Sequence, residues 1–170
     1  MSVEPSPSRS ALVFTHETPE DQPAIEALLD RAFGPGRFVK SSERVREFAE
    51  FAPELSFCAW MDGRLCGVVR MWRVRVGAAP VVFLGPLAVE GDQRSGGVGG
   101  MLVERACQAA HAAGERGVLL VGDGPYFSRF GFQADPARHV RMPGPVNQRR
   151  VLVRAFEDLG EGFAGSVEAR

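Results

Sequence analysis

Apolar residues along the chain change their spacing several times, and each change marks a change of element. ALVFT (11–15) alternates as a short strand does, and then Ile25, Leu28, Leu29, Ala32 and Phe33 recur on one face of a helix. Asp21 is expected to cap that helix. A cap at Thr18 would put Pro23 where its ring and missing N–H disrupt the first intrahelical bonds, whereas Asp21 leaves it in the tolerant first turn. GPG at 34–36 ends the helix. A second helix, starting near Ser41 or Ser42, is predicted to bury Val45, Phe48, Ala49 and Ala52 and to stop at Pro53.

The spacing then becomes that of strands. SFCAW (56–60) and LCGVVRMWRVRV (65–76) flank Asp62-Gly63, a strong hairpin signal, and GAAP (77–80) turns the chain into VVFLGPLAV (81–89). These make an antiparallel meander. Gly85-Pro86 conflicts with a regular strand, since proline cannot donate to the ladder, so the dipeptide predicts a bulge that opens the sheet. A helix from about Gly99 to Ala113 faces inward with Leu102, Ala106, Ala109 and Ala113 and outward with Glu104, Arg105, Gln108 and Glu115; Gly114 caps it. GVLLVGD (117–123) reads as a fully buried strand, which closes a right-handed parallel βαβ unit. RRVLVRAF (149–156) supplies the last strand.

Composition narrows the function. With 170 residues, 45% hydrophobic and 24% charged, the chain suits one domain over 11–156, with a Ser/Pro-rich, flexible 1–10 before it and an extension over 157–170. The formal net charge of -1 gives no footprint for nucleic acid. Lys40 is the only lysine, so no Schiff-base or Walker lysine stands near the glycines. Cys58, Cys66 and Cys107 lack C-x-x-C spacing and read as core residues in a reducing compartment, while His16, His111 and His139 are scattered; no metal is assigned. There is no signal-peptide h-region and no apolar run near the ~20 residues of a membrane span, so the expected location is cytoplasmic, away from membranes.

The densest chemistry is QRSGGVGG (93–100), glycine-rich backbone between a strand and a helix, where free N–H groups and the helix dipole favour an anion such as a phosphate. A P-loop needs a lysine and a hydroxyl after its glycines, and none follows. A Rossmann fingerprint needs glycine where Leu102 stands, and EGDQRS is too long for its tight turn. Arg94, Ser95, Gly96, Gly97, Val98 and Gly99 do match [QR]-x-x-G-x-[GA]. With LGPLAV before this loop, GVLLVGD after the helix and PYFSRFGF at 125–132, the stretch from Leu84 to Phe132 resembles the GNAT superfamily of acetyl-coenzyme A dependent N-acetyltransferases, in its bacterial YhbS-like branch.

The resemblance implies an α/β (α+β) fold: a single domain with a mixed, mostly antiparallel sheet of roughly six or seven strands and about four helices. That sheet would splay between its fourth strand, VVFLGPLAV, and its fifth, GVLLVGD. Acetyl-coenzyme A would wedge into the opening, its pantetheine arm pairing with the backbone of Leu87, Ala88 and Val89 and its pyrophosphate held by N–H groups from Arg94 through Gly100. The family's chemistry is direct attack of an amine on the thioester, with small-molecule or peptide amines as acceptors; a homodimer is admitted as the assembly. The tyrosine that usually protonates the thiolate falls, by the Y-x-x-x-G-F spacing, at Phe127; the chain's one tyrosine, its neighbour Tyr126, is the candidate acid in its place or else packs at the domain edge with its hydroxyl in water. The usual basic carboxylate is missing from Val81–Leu84. Asp123, at the carboxyl end of the next strand, serves as base or caps the following helix, and water is the alternative. Arg129 reads as a phosphate contact or a solvated helix residue. The segments GPGRFVKSS and MPGPVNQ (142–148) would line the acceptor's mouth, where Arg37 and Lys40 either add a mild positive bias or are solvated loop charges. The rival class is an acyl-coenzyme A binding module that has lost transfer activity.

Overall fold

The computed structural model describes residues 11–39 and 41–170. In chain order the elements are β1 Leu12–His16, α1 Gln22–Phe33, α2 Ser41–Arg46, β2 Glu50–Phe51, β3 Phe57–Met61, β4 Arg64–Val76, β5 Ala79–Val89, α3 Val98–Ala112, β6 Gly117–Val121, α4 Gly124–Phe127, β7 Val140–Arg141, β8 Val151–Ala155 and β9 Gly165–Ala169. The sheet runs β1-β3-β4-β5-β6-β8, with β2 and β9 added along β4 and β7 paired to β9. Within that path every pairing is antiparallel except β5 with β6, the parallel pair of the expected βαβ unit.

Two irregularities shape β5. Its register with β4 jumps from Met71↔Leu84 to Val69↔Leu87, so Gly85 and Pro86 together face Arg70, which is the bulge expected at that dipeptide. Its pairing with β6 is confined to Val82↔Val118 and Phe83↔Leu119. Beyond Phe83 the two strands part, and the sheet is open there.

Helices cover both faces of the sheet near this opening. On one side α3 buries Leu102, Val103, Ala106, Cys107 and Ala110 against Val69, Met71, Leu84 and Leu120. On the other, α1 buries Ile25, Leu28 and Leu29 against Cys58, Val68 and Ala88, each such side chain contributing about 1.5–3 kcal/mol of transfer free energy. The α3 stripe lies slightly rotated from the expected one: Val103, Cys107 and Ala110 are inside, while Ala113 is exposed beyond the helix end.

Two boundary expectations are refined. A single 3₁₀ turn, Pro19–Asp21, precedes α1; Asp21 stands at the N-cap position of α1 with Pro23 in the first turn, as expected, but its side chain makes no cap hydrogen bond there, and its Oδ2 accepts instead from the Thr18 N–H at 2.9 Å and the Thr18 hydroxyl at 3.1 Å. The extra turn keeps Pro23 near a helix start while Thr18 opens the segment. The second helix ends at Arg46, not Pro53, and Phe48 is exposed. Pairing of Glu50 and Phe51 with Arg73 and Trp72 supplies backbone hydrogen bonds that a continued helix would forfeit, so tertiary context overrides the local spacing. Residues 165–169 of the C-terminal extension join the sheet beside Val74–Val76.

An arginine network ties α1 and α2 together on the face opposite α3. Arg37, expected as a solvated loop charge, is 3% exposed; it donates to Glu26 at 2.6 Å, Asp30 at 3.1 Å and Glu43 at 2.8 Å. Lys40 lies outside the described residues. Arg46 donates to the other Glu26 oxygen at 2.8 Å, and buried Arg70 holds Glu17 through two hydrogen bonds of 2.8 and 3.0 Å. Burial alone would raise the Glu26 pKa, but hydrogen bonds and charges from Arg46 and Arg37 outweigh it and lower the carboxyl from 4.5 to about 2. Because the folded pKa lies below the unfolded one, this stabilisation is present above pH 4.5 and is lost as the pH falls towards 2. Urea titrations across that window should show Glu26→Gln less stable than the parent at neutral pH, with a shallower acid-side decline; parallel curves would contradict the network's role.

Candidate functional site

Where β5 and β6 part, a cavity of about 420 Å3 opens between Leu84–Leu87 on one side and Leu120–Asp123 on the other. Phe127 forms part of its wall, and Arg37, Glu43 and Pro145–Asn147 line it too. The segment GPGRFVKSS, through Arg37, and the segment MPGPVNQ therefore do meet here. Gly122 is required by space: a Cβ there would lie 2.4 Å from Cε2 of Phe127, so the bare backbone lets the ring lie against the strand end.

The β5 edge facing this opening is set by strand alternation. The Glu90 N–H donates to Cys66 O at 2.8 Å and Ala88 pairs with Val68 two residues along the ladder, so residues 88 and 90 turn their backbone groups toward β4. Period two then sends the N–H and C=O groups of Leu87 and Val89 the other way, toward the cleft. Ala88, expected to offer its backbone beside them, does not; the same ladder that holds β5 to β4 consumes it.

Leu87 and Val89 also line a groove of about 500 Å3 with Gly97, Gly99, Gly100, Tyr126, Arg129 and Phe130. Gly91–Gly96, including the backbone of Arg94 and Ser95, form a 3₁₀ turn that precedes Gly97 in the left-handed region at φ 77, and α3 starts at Val98. A side chain at Gly97 would be strained by that φ. At Gly99 a Cβ would stand 3.2 Å from the Tyr126 hydroxyl, so the tyrosine crosses directly over the loop. The first N–H groups of α3 have no intrahelical acceptor and face outward from the helix start.

The two adjacent aromatics separate. Tyr126 and Phe127 meet edge to face, with centroids 4.8 Å apart, but Tyr126 lines the glycine groove and Phe127 the cavity. Arg129, exposed, lies over the Tyr126 ring at 4.8 Å beside the same groove. Asp123 fulfils its capping alternative, with Oδ2 accepting from the Tyr126 N–H at 2.9 Å, while also lining the cavity. Glu43, which sequence spacing did not single out, is held by Arg37 and lies 3.5 Å from Arg46. Trp72 was missed as well: its indole donates to Gly85 O at 2.6 Å. No local pattern signals either residue, because their partners lie in other elements.

The cysteines are buried, and none lines the cavity or the groove. Burial pushes the Cys58 thiol up to about 12 and Cys107 to about 11, and raises Cys66, which keeps all three protonated and poor nucleophiles. Among the described residues no group of three His, Cys, Asp or Glu side chains is arranged to hold a metal, and no helix is long and apolar enough to cross a membrane.

The profile of the acetyltransferase (GNAT) family matches residues 23–132. The chain belongs to this family. It is 31% identical over 156 residues to the uncharacterized N-acetyltransferase YhbS of Escherichia coli, covering 89% of this chain and 92% of that protein. The crystal structure of that GNAT family enzyme in complex with CoA superposes with a TM-score of 0.77 at 27% identity, covering 100% of this chain and 94% of the other. A GNAT family acetyltransferase from Brucella melitensis in complex with acetyl-CoA gives a TM-score of 0.70 at 25% identity, covering 95% and 97%. Like these GNAT proteins, the chain is a single α+β domain with an open mixed sheet.

The Asp123 cap makes a separable demand on stability. Asp123→Ala should cost about 1 kcal/mol, seen as a melting-temperature drop of about 2–4 °C, whereas Asp123→Asn should stay close to the parent because the amide oxygen still accepts. Equal losses in both variants in a thermal melt would speak against the cap.

Proposed function

We propose that this chain transfers the acetyl group of acetyl-CoA to the amine of a small-molecule or peptide acceptor, by direct attack in a ternary complex. The observation that carries the reading is the continuous strip formed by the glycine groove, the cleft-facing edge at Leu87, and the cavity beyond it. CoA and acetyl-CoA in the two related structures favour the same ligand here. In this reading the backbone N–H groups from Arg94 through Gly100, Val98 included, bind the pyrophosphate, and Leu87, with Val89 lining the groove beside it, pairs with the pantetheine arm as an added strand. No resident metal or prosthetic group is called for.

Acetyl-CoA supplies the activated thioester, and the protein's part is to bind, orient and polarise. The Leu87 N–H, directed into the cleft beside the cavity, is the donor for the thioester oxygen as charge develops on it. The acceptor enters between Arg37 and Asn147. Its proton passes to Asp123 or to water, since Glu43 is committed to Arg37 and Arg46. Tyr126, which shares the groove with Leu87, contacts the cofactor there and is the candidate acid for the departing thiolate, with solvent as the alternative donor. Phe127 favours the second reading, an acyl-CoA binding module, because an aromatic hydrocarbon occupies the position where the family usually has its acid. Release of thiol from acetyl-CoA across an amine panel separates the two readings.

Gly97→Val should lower CoA affinity by about tenfold or more, or ~1.4 kcal/mol, in a protein that still folds, as read by calorimetric titration. Undiminished affinity would remove the loop from the site.

With an acceptor found in that panel, double-reciprocal plots should intersect, and intact mass after incubation with acetyl-CoA alone should show no added acetyl group, given the protonated, buried thiols. Parallel plots with a stable acetyl adduct would overturn direct transfer and leave the cofactor assignment standing.

A further inference from the structure

The bulge that opens the sheet has a tie that the ladder does not supply. Gly85 and Pro86 face the single residue Arg70, and Pro86 has no N–H to give to β4. The Gly85 carbonyl is instead taken by a side chain, the Trp72 indole, at 2.6 Å. Trp72 is 6% exposed and is braced by Phe51, with ring centroids 5.1 Å apart. It lines neither the cavity at the β5–β6 opening nor the glycine groove.

Covalent geometry gives this hydrogen bond a definite reach. The Gly85 carbonyl and the Pro86 nitrogen share one planar peptide unit, and the proline ring fixes φ near −65°. Only ψ of Pro86 then separates the clamped carbonyl from the Leu87 N–H. We propose that Trp72 is a positioning residue: by holding the Gly85 carbonyl it aims the Leu87 N–H at the thioester oxygen. This rests on the acetyl-CoA reading above. Trp72 touches neither cofactor nor acceptor. It limits the sweep of one donor, and a donor misaimed by a fraction of a hydrogen-bond length loses much of its effect on developing charge.

The test reads the donor itself and needs no acceptor. Isotope-edited infrared difference spectra of [1-13C]acetyl-CoA report the thioester carbonyl, whose band moves to lower frequency when it accepts a hydrogen bond. Bound to the parent protein, the band should lie below its solution position. In Trp72→Phe it should return most of the way, while CoA affinity by calorimetry stays within about twofold. Phe51→Leu, which loosens packing on the same indole but leaves its N–H, should keep the parent's band. A second variant guards against misfolding of Trp72→Phe: 3-benzothienylalanine at position 72 in a Trp60→Phe background keeps the bicyclic shape and removes the donor, and should reproduce the band's return. An unmoved band in either position-72 variant, or an equal return in Phe51→Leu, would overturn the proposal. CoA binding to the parent without any carbonyl shift would overturn it too and leave the cofactor assignment intact; no CoA binding to the parent at all would instead remove the acetyl-CoA reading, and this proposal with it.

Discussion

Everything distinctive in this fold depends on where β5 stops pairing with β6. A parallel pair buried on both faces normally continues for the length of its strands, because each unpaired backbone group left away from water carries a cost. Here the contact ends after Phe83 and Leu119. The one-residue offset at Gly85 and Pro86 makes this tolerable: it turns β5 while its other edge regains register with β4 at Leu87. The edge at Leu87 is thereby turned toward the cleft, and the fold gains a slot without losing its central strand.

The two helical faces serve this slot differently. On the α3 side the requirement is closeness: Gly97, Gly99 and Gly100 let backbone, Tyr126 and Phe130 approach one another without intervening side chains. On the α1 and α2 side the requirement is shape. Arg37 and Arg46 share Glu26, so a helix of six residues, too short to persist alone, is fixed relative to α1. Replacing one partner of such a buried set leaves the others uncompensated, which makes the network a strict determinant of geometry whatever its net contribution to stability.

The sequence makes some of this legible and hides the rest for identifiable reasons. Period-two and helical spacings mark the meander, α1, α3 and β6 because those elements bury one continuous stripe or run. Gly85-Pro86 and the glycines before α3 are legible because only special backbone explains such residues in such places. The end of α2 is not, since Phe48 and Ala49 fit the helical stripe and only the pairing of Glu50 and Phe51 with β4 decides otherwise. Nor is the turning of Ala88 away from the cleft, which depends on register across a bulge. Arg37, Glu43 and Trp72 acquire meaning only through partners on other elements, and Tyr126 and Phe127, adjacent in sequence, end on different surfaces through a helical turn capped by Asp123.

The choice of cation in the α1–α2 network carries a chemical consequence. A lysine amine near an activated thioester is itself an acceptor, and acetylation would cancel its charge and break its ion pairs. Guanidinium groups stay protonated at any physiological pH and offer no such nucleophile. A chain whose ion pairs on this face come from Arg37, Arg46 and Arg70, and whose whole length contains one lysine, is thus built almost entirely of cations that its own reaction cannot consume.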